Sequence, residues 1–271
     1  MEDFKMKGFI KLTITLLALV LLVTAIPLKT VAAETPEIDD SAFLSRTNDP
    51  HEIFIEIDDY YFTDVADMIK RYYQLYQMID FTCTFKSSNY LSLDNLSQTS
   101  LKQYYNSTQP VDLTSGVCSS VAILDLVLFY KPTMNRNTSF VSFVNQAYAN
   151  GYANPRGVVL PNKTKNAMTL CASQNSVSKT GAEFTFNKRA RTRNALNSGK
   201  PVMLAFDNYA HMVVAKGIEM FTVSYIDPSD YLCHSFDVEF FIVNDGWGTP
   251  YGSVVLSALF SDSTGDAYIL Q

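Results

Sequence analysis

The sequence is short of the residues on which several protein classes depend. Its 271 residues include four Cys, three His and 11 Gly. A disulfide-stapled toxin is denser in cysteine, and a collagen-like fibre needs glycine at every third position, so both classes are excluded. The histidines are scattered, and no CxxC pair or HExxH motif occurs, so no metal site is predicted.

The sequence also has no excess of positive charge and no phosphate-binding motif. The net charge is −6, and charged residues make up only 18% of the chain. Because nucleic acid repels an acidic protein, nucleic acid is not an expected partner. Neither GxxxxGK[ST] nor GxGxxG occurs, and no cofactor is expected. The 47% of hydrophobic residues is typical of a folded globular chain rather than a disordered one.

Residues 1–33 have the pattern of a secretory signal peptide. Three lysines precede an apolar run over residues 12–28, and the small residues Val31 and Ala33 stand before a cleavage point at Glu34. This pattern predicts a secreted or cell-surface protein that is not in the membrane once residues 1–33 are removed. A retained membrane anchor is the alternative, since about 20 apolar residues span a bilayer.

The rest of the chain indicates helices followed by strands. Residues 34–100 form an N-terminal segment, which is either a propeptide, a small appended domain or the edge of the main fold. Within it we expect a helix over residues 64–79, and loop with short strands over 86–115. Helices are expected over 118–131, 139–150 and 189–199, and β-rich sequence follows Lys200. This order predicts an α+β fold of two layers, with the helical half packed on an antiparallel sheet.

Cys118 is the first candidate for chemistry. It follows Gly116-Val117 and begins the apolar stretch CSSVAILDLVLFYK. A thiol at a helix N-terminus meets unpaired N–H groups and the positive end of the helix dipole, which stabilise a thiolate. A buried structural cysteine, or half of a disulfide, is the alternative. If Cys118 is used chemically, the three others allow at most one bridge within the chain; they are Cys83, Cys171 and Cys233.

Two later segments supply partners for a thiol. His211 begins the strand-like run HMVVAKGI, and FFIVNDGWGTPYG ends a strand with Asn244 and Asp245 beside the only Trp. An acid or amide there can accept a hydrogen bond from one imidazole nitrogen, so that the other takes the thiol proton. His51 and His234 lie in less suggestive surroundings.

Taken together, these segments resemble the papain-like cysteine peptidases, and more closely their bacterial C39-like branch. GVCSSVAILDLVLFY is similar to the nucleophile helix of that family, and FIVNDGWGTPYG is similar to its Asn-Ser-Trp-Gly turn. The resemblance implies a papain-like catalytic domain over residues 101–271. It also implies Cys118 as nucleophile, His211 as general base and acid, and Asp245 as the residue that orients the imidazole.

The resemblance has a rival residue and a departure. Asp227, in an Asp-Pro pair after the His211 strand, occupies the position from which C39-type peptidases often take their Asp. The Gln that the family commonly carries six residues before its Cys is replaced by Asp112, and Gln109 is out of register. An ionised carboxylate cannot donate to an oxyanion, so the oxyanion donor is not identified from the sequence.

The sequence therefore predicts a secreted thiol hydrolase that cleaves amide bonds of a peptide or protein substrate through an acyl-enzyme on Cys118. A transglutaminase-like or cell-wall amidase activity on the same three residues is one alternative. A secreted binding protein that keeps the fold without catalysis is the other, and it is motivated by Asp112. Nothing in the sequence indicates an oligomeric state.

Overall fold

The computed structural model describes residues 30–32, 52–109, 113–114, 116–206 and 210–271. The predicted signal peptide falls outside these residues, apart from a short strand at residues 30–32, and so do residues 34–51 at the start of the N-terminal segment. The helices are α1 Tyr61–Tyr72, α2 Gln98–Thr108, α3 Cys118–Tyr130, α4 Arg136–Ala149, α5 Thr164–Gln174 and α6 Lys188–Asn197. The strands are β1 Thr30–Ala32, β2 Phe54–Glu56, β3 Ile79–Tyr90, β4 Gly181–Phe184, β5 Val202–Phe206, β6 His211–Ile226, β7 Cys233–Asn244, β8 Ser253–Leu256 and β9 Gly265–Leu270.

One sheet organises the described chain. Its strands run in the order β2-β8-β7-β6-β5-β9-β4, and neighbours along this path are antiparallel. β6 is long enough to pair with β5 through its first five residues and with β3 through its later part. β1 pairs with β7 in the parallel sense. Helices and an antiparallel sheet in one chain confirm the α+β class.

Helices cover both faces of the sheet, whereas the sequence predicts two layers. On one face α1 and α6 pack through residues such as Ile69 and Leu196. On the other face α2 to α5 pack around Ile123 of α3. Successive side chains of a strand point to opposite faces of the sheet. Val213 therefore packs in the core on the α1 and α6 face, and Val214 in the core on the α3 face. α1 and α6 together form the additional layer.

The N-terminal segment contributes to this sheet. β2 pairs with β8, and β3 pairs with β6 over Ile79 to Tyr90. The expectation of loop with short strands over residues 86–115 agrees with the end of β3 but was wrong for residues 98–108, which form α2. β3 is exposed on most of its side chains, but its first half alternates apolar and polar residues (IDFTCTFK), and Phe81 and Cys83 pack against the core. A strand signal was therefore present in the sequence and was missed.

α3 is the central helix of the helical face. Ten of its residues, from Ser119 to Leu128, are buried, as its apolar sequence predicts. It packs against α4, α5 and strands β5 and β6. Among the described residues, none of the helices has both the length and the apolar character needed to cross a membrane.

Candidate active site

Cys118 is the first residue of α3. Its N-cap residue, Val117, forms no side-chain capping hydrogen bond. The N–H groups of the first turn are therefore not occupied by a capping oxygen. The thiol is partly exposed and lies against the start of β6. Its sulfur is 4.0 Å from the carbonyl oxygen of Ala210. The N–H of Met212 also points at the sulfur. Cys118 therefore contacts the backbone on both sides of His211.

The surroundings of Cys118 act on its pKa in opposite directions. Burial raises the pKa of the thiol, because a thiolate loses solvation there. The N–H groups of Met212, Ser119 and Cys118 itself lower it, but by less than burial raises it. The helix N-terminus predicted from the sequence is present, yet by itself it does not make this cysteine acidic. A low thiol pKa would require the charge of a partner imidazolium.

His211 is held by the turn that follows β7. Its Nε2 lies 2.9 Å from the backbone carbonyl oxygen of Asp245. A carbonyl can only accept, so Nε2 carries a proton, and in the neutral ring the lone pair is on Nδ1. The imidazole stacks on Trp247 with ring centroids 4.9 Å apart and planes 7° apart, and the edge of Phe54 closes a third side. The ring is 7% exposed and fixed in one orientation.

Asp245 orients His211 through its backbone rather than through its carboxylate. The fully buried carboxylate accepts hydrogen bonds from the Trp247 N–H at 2.7 Å, the Thr249 hydroxyl at 3.1 Å and the Ser253 hydroxyl. These hydrogen bonds fix the conformation of the turn. The turn holds the Asp245 carbonyl oxygen against the imidazole. The residue predicted from the sequence is therefore in contact with His211, by an atom that the sequence did not indicate.

Asn244, the open alternative to Asp245, connects the turn to α3. Its side-chain oxygen accepts from the Gly246 N–H at 3.1 Å, and its amide donates to the carboxyl of Asp125. Asp125 is fully buried, two helical turns beyond Cys118, and its second oxygen lacks a hydrogen-bond partner. Burial raises the pKa of Asp125 well above its ordinary value. The two elements that meet at the site are thus joined by a buried hydrogen bond.

Gln98 is a site residue that sequence reasoning missed. It is the first residue of α2, and its side-chain oxygen accepts from the Val117 N–H at 3.2 Å. Its backbone N–H donates to the Gly246 carbonyl at 2.7 Å, beside Trp247. The amide is therefore one residue away from Cys118. A signal was present in the sequence, because Ser97 is a helix cap and Leu101 and Tyr105 follow at helical spacing.

Other residues considered from the sequence lie elsewhere. Asp227 follows the far end of β6, sixteen residues of strand from His211 or roughly 50 Å, so it is excluded as an orienting acid. There it groups with Asp230 and His234. Gln109 accepts from Asn145 at the other end of α2, and Asp112 lies outside the described residues. All four cysteines are free thiols.

The arrangement can perform nucleophilic catalysis in outline. The Cys118 thiol lies against the backbone beside His211, the His211 Nε2 is bound to the turn after β7, and the Gln98 side chain accepts from the residue before Cys118. The backbone N–H groups at the start of α3 can receive developing negative charge on a substrate oxygen. No described residue near Cys118 forms a metal-ligand cluster.

The chain matches no protein-family model and no curated protein. Among solved structures, a fragment of prointerpain A from Prevotella intermedia has 10% identity to this chain and a TM-score of 0.36. The match covers 88% of this chain and 85% of that one. A TM-score of 0.36 is too low for the likeness to bear on fold or function.

Proposed function

We propose that the protein is a papain-like thiol hydrolase that cleaves amide bonds through an acyl-enzyme on Cys118. The observation that carries this proposal is the position of the thiol against Ala210 and Met212, the two backbone neighbours of His211. The imidazole Nε2 is at the same time fixed by a carbonyl acceptor. The motif resemblance to C39-like peptidases supports the same assignment.

His211 acts first as a general base and then as a general acid, and Cys118 is first the nucleophile and later the leaving group. His211 accepts the thiol proton on Nδ1, the side of the ring nearest its own backbone, and Cys118 attacks the substrate carbonyl carbon. The N–H groups at the start of α3 and the side-chain amide of Gln98 stabilise the resulting oxyanion. His211 then protonates the leaving amine as the C–N bond breaks. Water, deprotonated by the same imidazole, attacks the acyl-enzyme and releases the acid and the free thiol.

Secretion is part of this proposal and is supported by the signal-peptide pattern of residues 1–33. The substrate class, a peptide or protein, is supported by the family resemblance. A transglutaminase-like or amidase reaction would use the same three residues and would be separated by its products.

A protein that keeps this arrangement without catalysis is the second candidate. It is favoured by the raised pKa of Cys118, because a protonated thiol is a poor nucleophile. Gln98 argues against it, because it supplies next to Cys118 the amide that Asp112 lacks.

The test is hydrolysis of a mixed peptide library together with labelling by a thiol-directed peptidase inhibitor. The native chain should cleave peptides and take up the inhibitor at Cys118, and Cys118→Ala should abolish both. Cys233→Ala, which removes another partly buried thiol, is the matched control and should change neither. Peptide cleavage that survives in Cys118→Ala would refute the proposal, and an unreactive Cys118 in the native chain would favour the binding protein.

A further inference from the structure

A cavity of about 370 Å³ lies beside the loop that follows Trp247. Its walls are apolar at Leu93 and Ile242, and its rim carries the rings of Tyr90 and Tyr251. Both tyrosines are largely exposed, Tyr90 at 68% and Tyr251 at 70%. Exposed aromatic rings around a half-open apolar cavity are suited to hold a segment of peptide.

Lys216 supplies the positive charge of this cavity, which we call the Lys216 cavity. Its side chain is almost wholly covered, since only 6% of the residue is exposed. The ammonium donates to the Asn95 side-chain oxygen at 2.7 Å and to the Tyr251 carbonyl at 3.4 Å. An ammonium has three donors, so one remains for a ligand oxygen. Burial lowers the pKa of Lys216, and an anionic ligand would counter that effect.

The acidic residues of the cavity wall already have partners. Asp94 forms an ion pair with Arg136, and Glu219 accepts a hydrogen bond from the hydroxyl of Tyr61. Neither carboxylate bonds to the Lys216 ammonium. Asp125, Asp245 and Asp94 raise the pKa of Lys216 through their charge. None of them accepts a hydrogen bond from the ammonium, so its third donor remains for a ligand oxygen.

The cavity and the candidate active site lie at opposite ends of one pair of chain segments. Residues 95–98 run antiparallel to residues 246–250, with a bridge between Ser97 and Trp247. At one end Gln98 lies beside Cys118, and at the other the Asn95 amide donates to the Thr249 carbonyl at 2.7 Å. Three residues separate Gln98 from Asn95, which is at most about 10 Å of chain. A peptide extended from the thiol would cover that distance with two or three residues.

We propose that the Lys216 cavity binds a carboxylate of the peptide substrate, two or three residues from the bond that Cys118 attacks. The carboxylate comes either from the C-terminus of the peptide or from an Asp or Glu side chain. The position relative to the cleaved bond rests on the proposed function, whereas the carboxylate binding itself needs no catalysis.

The test is calorimetric titration of the Cys118→Ala protein with three peptides of equal length. One is N-acetyl-trialanine with a free C-terminus, the second is its C-terminal amide, and the third is that amide with Glu as the middle residue. We expect a carboxylate peptide to bind at least about tenfold more tightly than the neutral amide, as for a charge-assisted hydrogen bond. The tighter of the two acidic peptides identifies the source of the carboxylate.

Lys216→Met should abolish the preference for the acidic peptides, whereas Lys200→Met, at an exposed lysine, should retain it. The comparison of peptides on Cys118→Ala protein does not depend on the Lys216 variant folding. Equal binding of the three peptides, or binding of none, overturns the proposal, as does a preference that survives in a folded Lys216→Met protein. In either case inhibitor labelling of Cys118 in the native chain still decides the hydrolase separately.

Discussion

Gln98 carries the first prediction, because its side-chain amide accepts from the N–H of the residue before Cys118. Gln98→Leu keeps the size of the side chain and removes the amide. If this amide stabilises the oxyanion, kcat should fall by about 10²–10³-fold with a small change in KM. Steady-state kinetics on a cleaved peptide measures both parameters.

The matched control is Gln109→Leu at the opposite end of the same helix, where the side chain bonds to Asn145. This variant should retain kcat within a few-fold. A Gln98→Leu enzyme with unchanged kcat would remove Gln98 from the mechanism.

Asp125 makes a second residue-scale prediction, which concerns stability. Its folded-state pKa is raised by burial, so the folded chain retains a proton that the unfolded chain releases. Stability contributed by this group is therefore lost as pH rises above the ordinary value of 3.8 toward the raised one. Lys216 and Arg136 oppose this trend, and Asp94 reinforces it.

Asp125→Asn should remove that pH dependence, because the amide can accept from Asn244 without ionising. Urea unfolding across the acidic to neutral range should show the variant gaining stability relative to the native chain as pH rises. Asp125→Ala, which deletes the acceptor, should lose about 1–3 kcal/mol. A constant difference between Asp125→Asn and the native chain at every pH would contradict the raised pKa.

At the scale of elements, the turn after β7 depends on Gly248. This residue has φ of +84°, and a Cβ atom there would lie 2.7 Å from the Cβ of Ser97. Gly248→Ala should therefore both strain the backbone and push α2 away from the turn, with a loss of about 2 kcal/mol or more. Urea unfolding followed by Trp247 fluorescence measures the loss and reports on the turn.

Gly199→Ala is the control for Gly248→Ala. Gly199 has a similar φ of +73°, but a Cβ atom there would meet no other atom within 4 Å, so the substitution introduces backbone strain alone. It should be destabilised by about 1 kcal/mol, with Trp247 fluorescence unchanged. Equal losses in the two variants would show that the contact with Ser97 is unimportant.

The elements that the sequence predicts well are those with strong apolar patterns. α3 is buried nearly all round, and β7 ends in the Asn-Asp-Gly-Trp turn, so both elements were predicted. The catalytic roles of Cys118, His211 and Asp245 stay predictions. α2 was missed because Ser, Asn, Thr and Gln dominate residues 86–115, and polar content there outweighs the cap at Ser97. β3 was missed although Phe81, Cys83 and Phe85 alternate with polar residues, because its first residue was assigned to the preceding helix. The use of the Asp245 carbonyl could not be predicted, since a side-chain pattern carries no information on which backbone atom faces a ring.

At the scale of the whole molecule, residues 52–100 decide whether the sheet and the site are complete. β2 pairs with β8, β3 pairs with β6, and Gln98 approaches Val117. A chain beginning at residue 101 should lose three paired strands, β1, β2 and β3, together with α1, and should fail to unfold cooperatively in urea. Circular dichroism and urea titration of this fragment against the full chain measure the difference.

A chain beginning at residue 51 is the control for that truncation, since it keeps α1 to α6 and β2 to β9. Its unfolding midpoint should stay close to that of the full chain. A fragment of residues 101–271 that folds and still labels at Cys118 would instead identify residues 34–100 as a removable propeptide.

The central claim is that Cys118 and His211 form a thiolate–imidazolium pair, and the most direct measurement is the pH dependence of iodoacetamide labelling at Cys118. Burial alone raises the pKa of this thiol, so only the imidazolium can bring it below the ordinary range for cysteine, about 8.5. The pH midpoint of labelling should lie well below that value in the native chain, and it should move above that value in His211→Asn. A native midpoint above the ordinary range, unchanged in His211→Asn, would contradict the account.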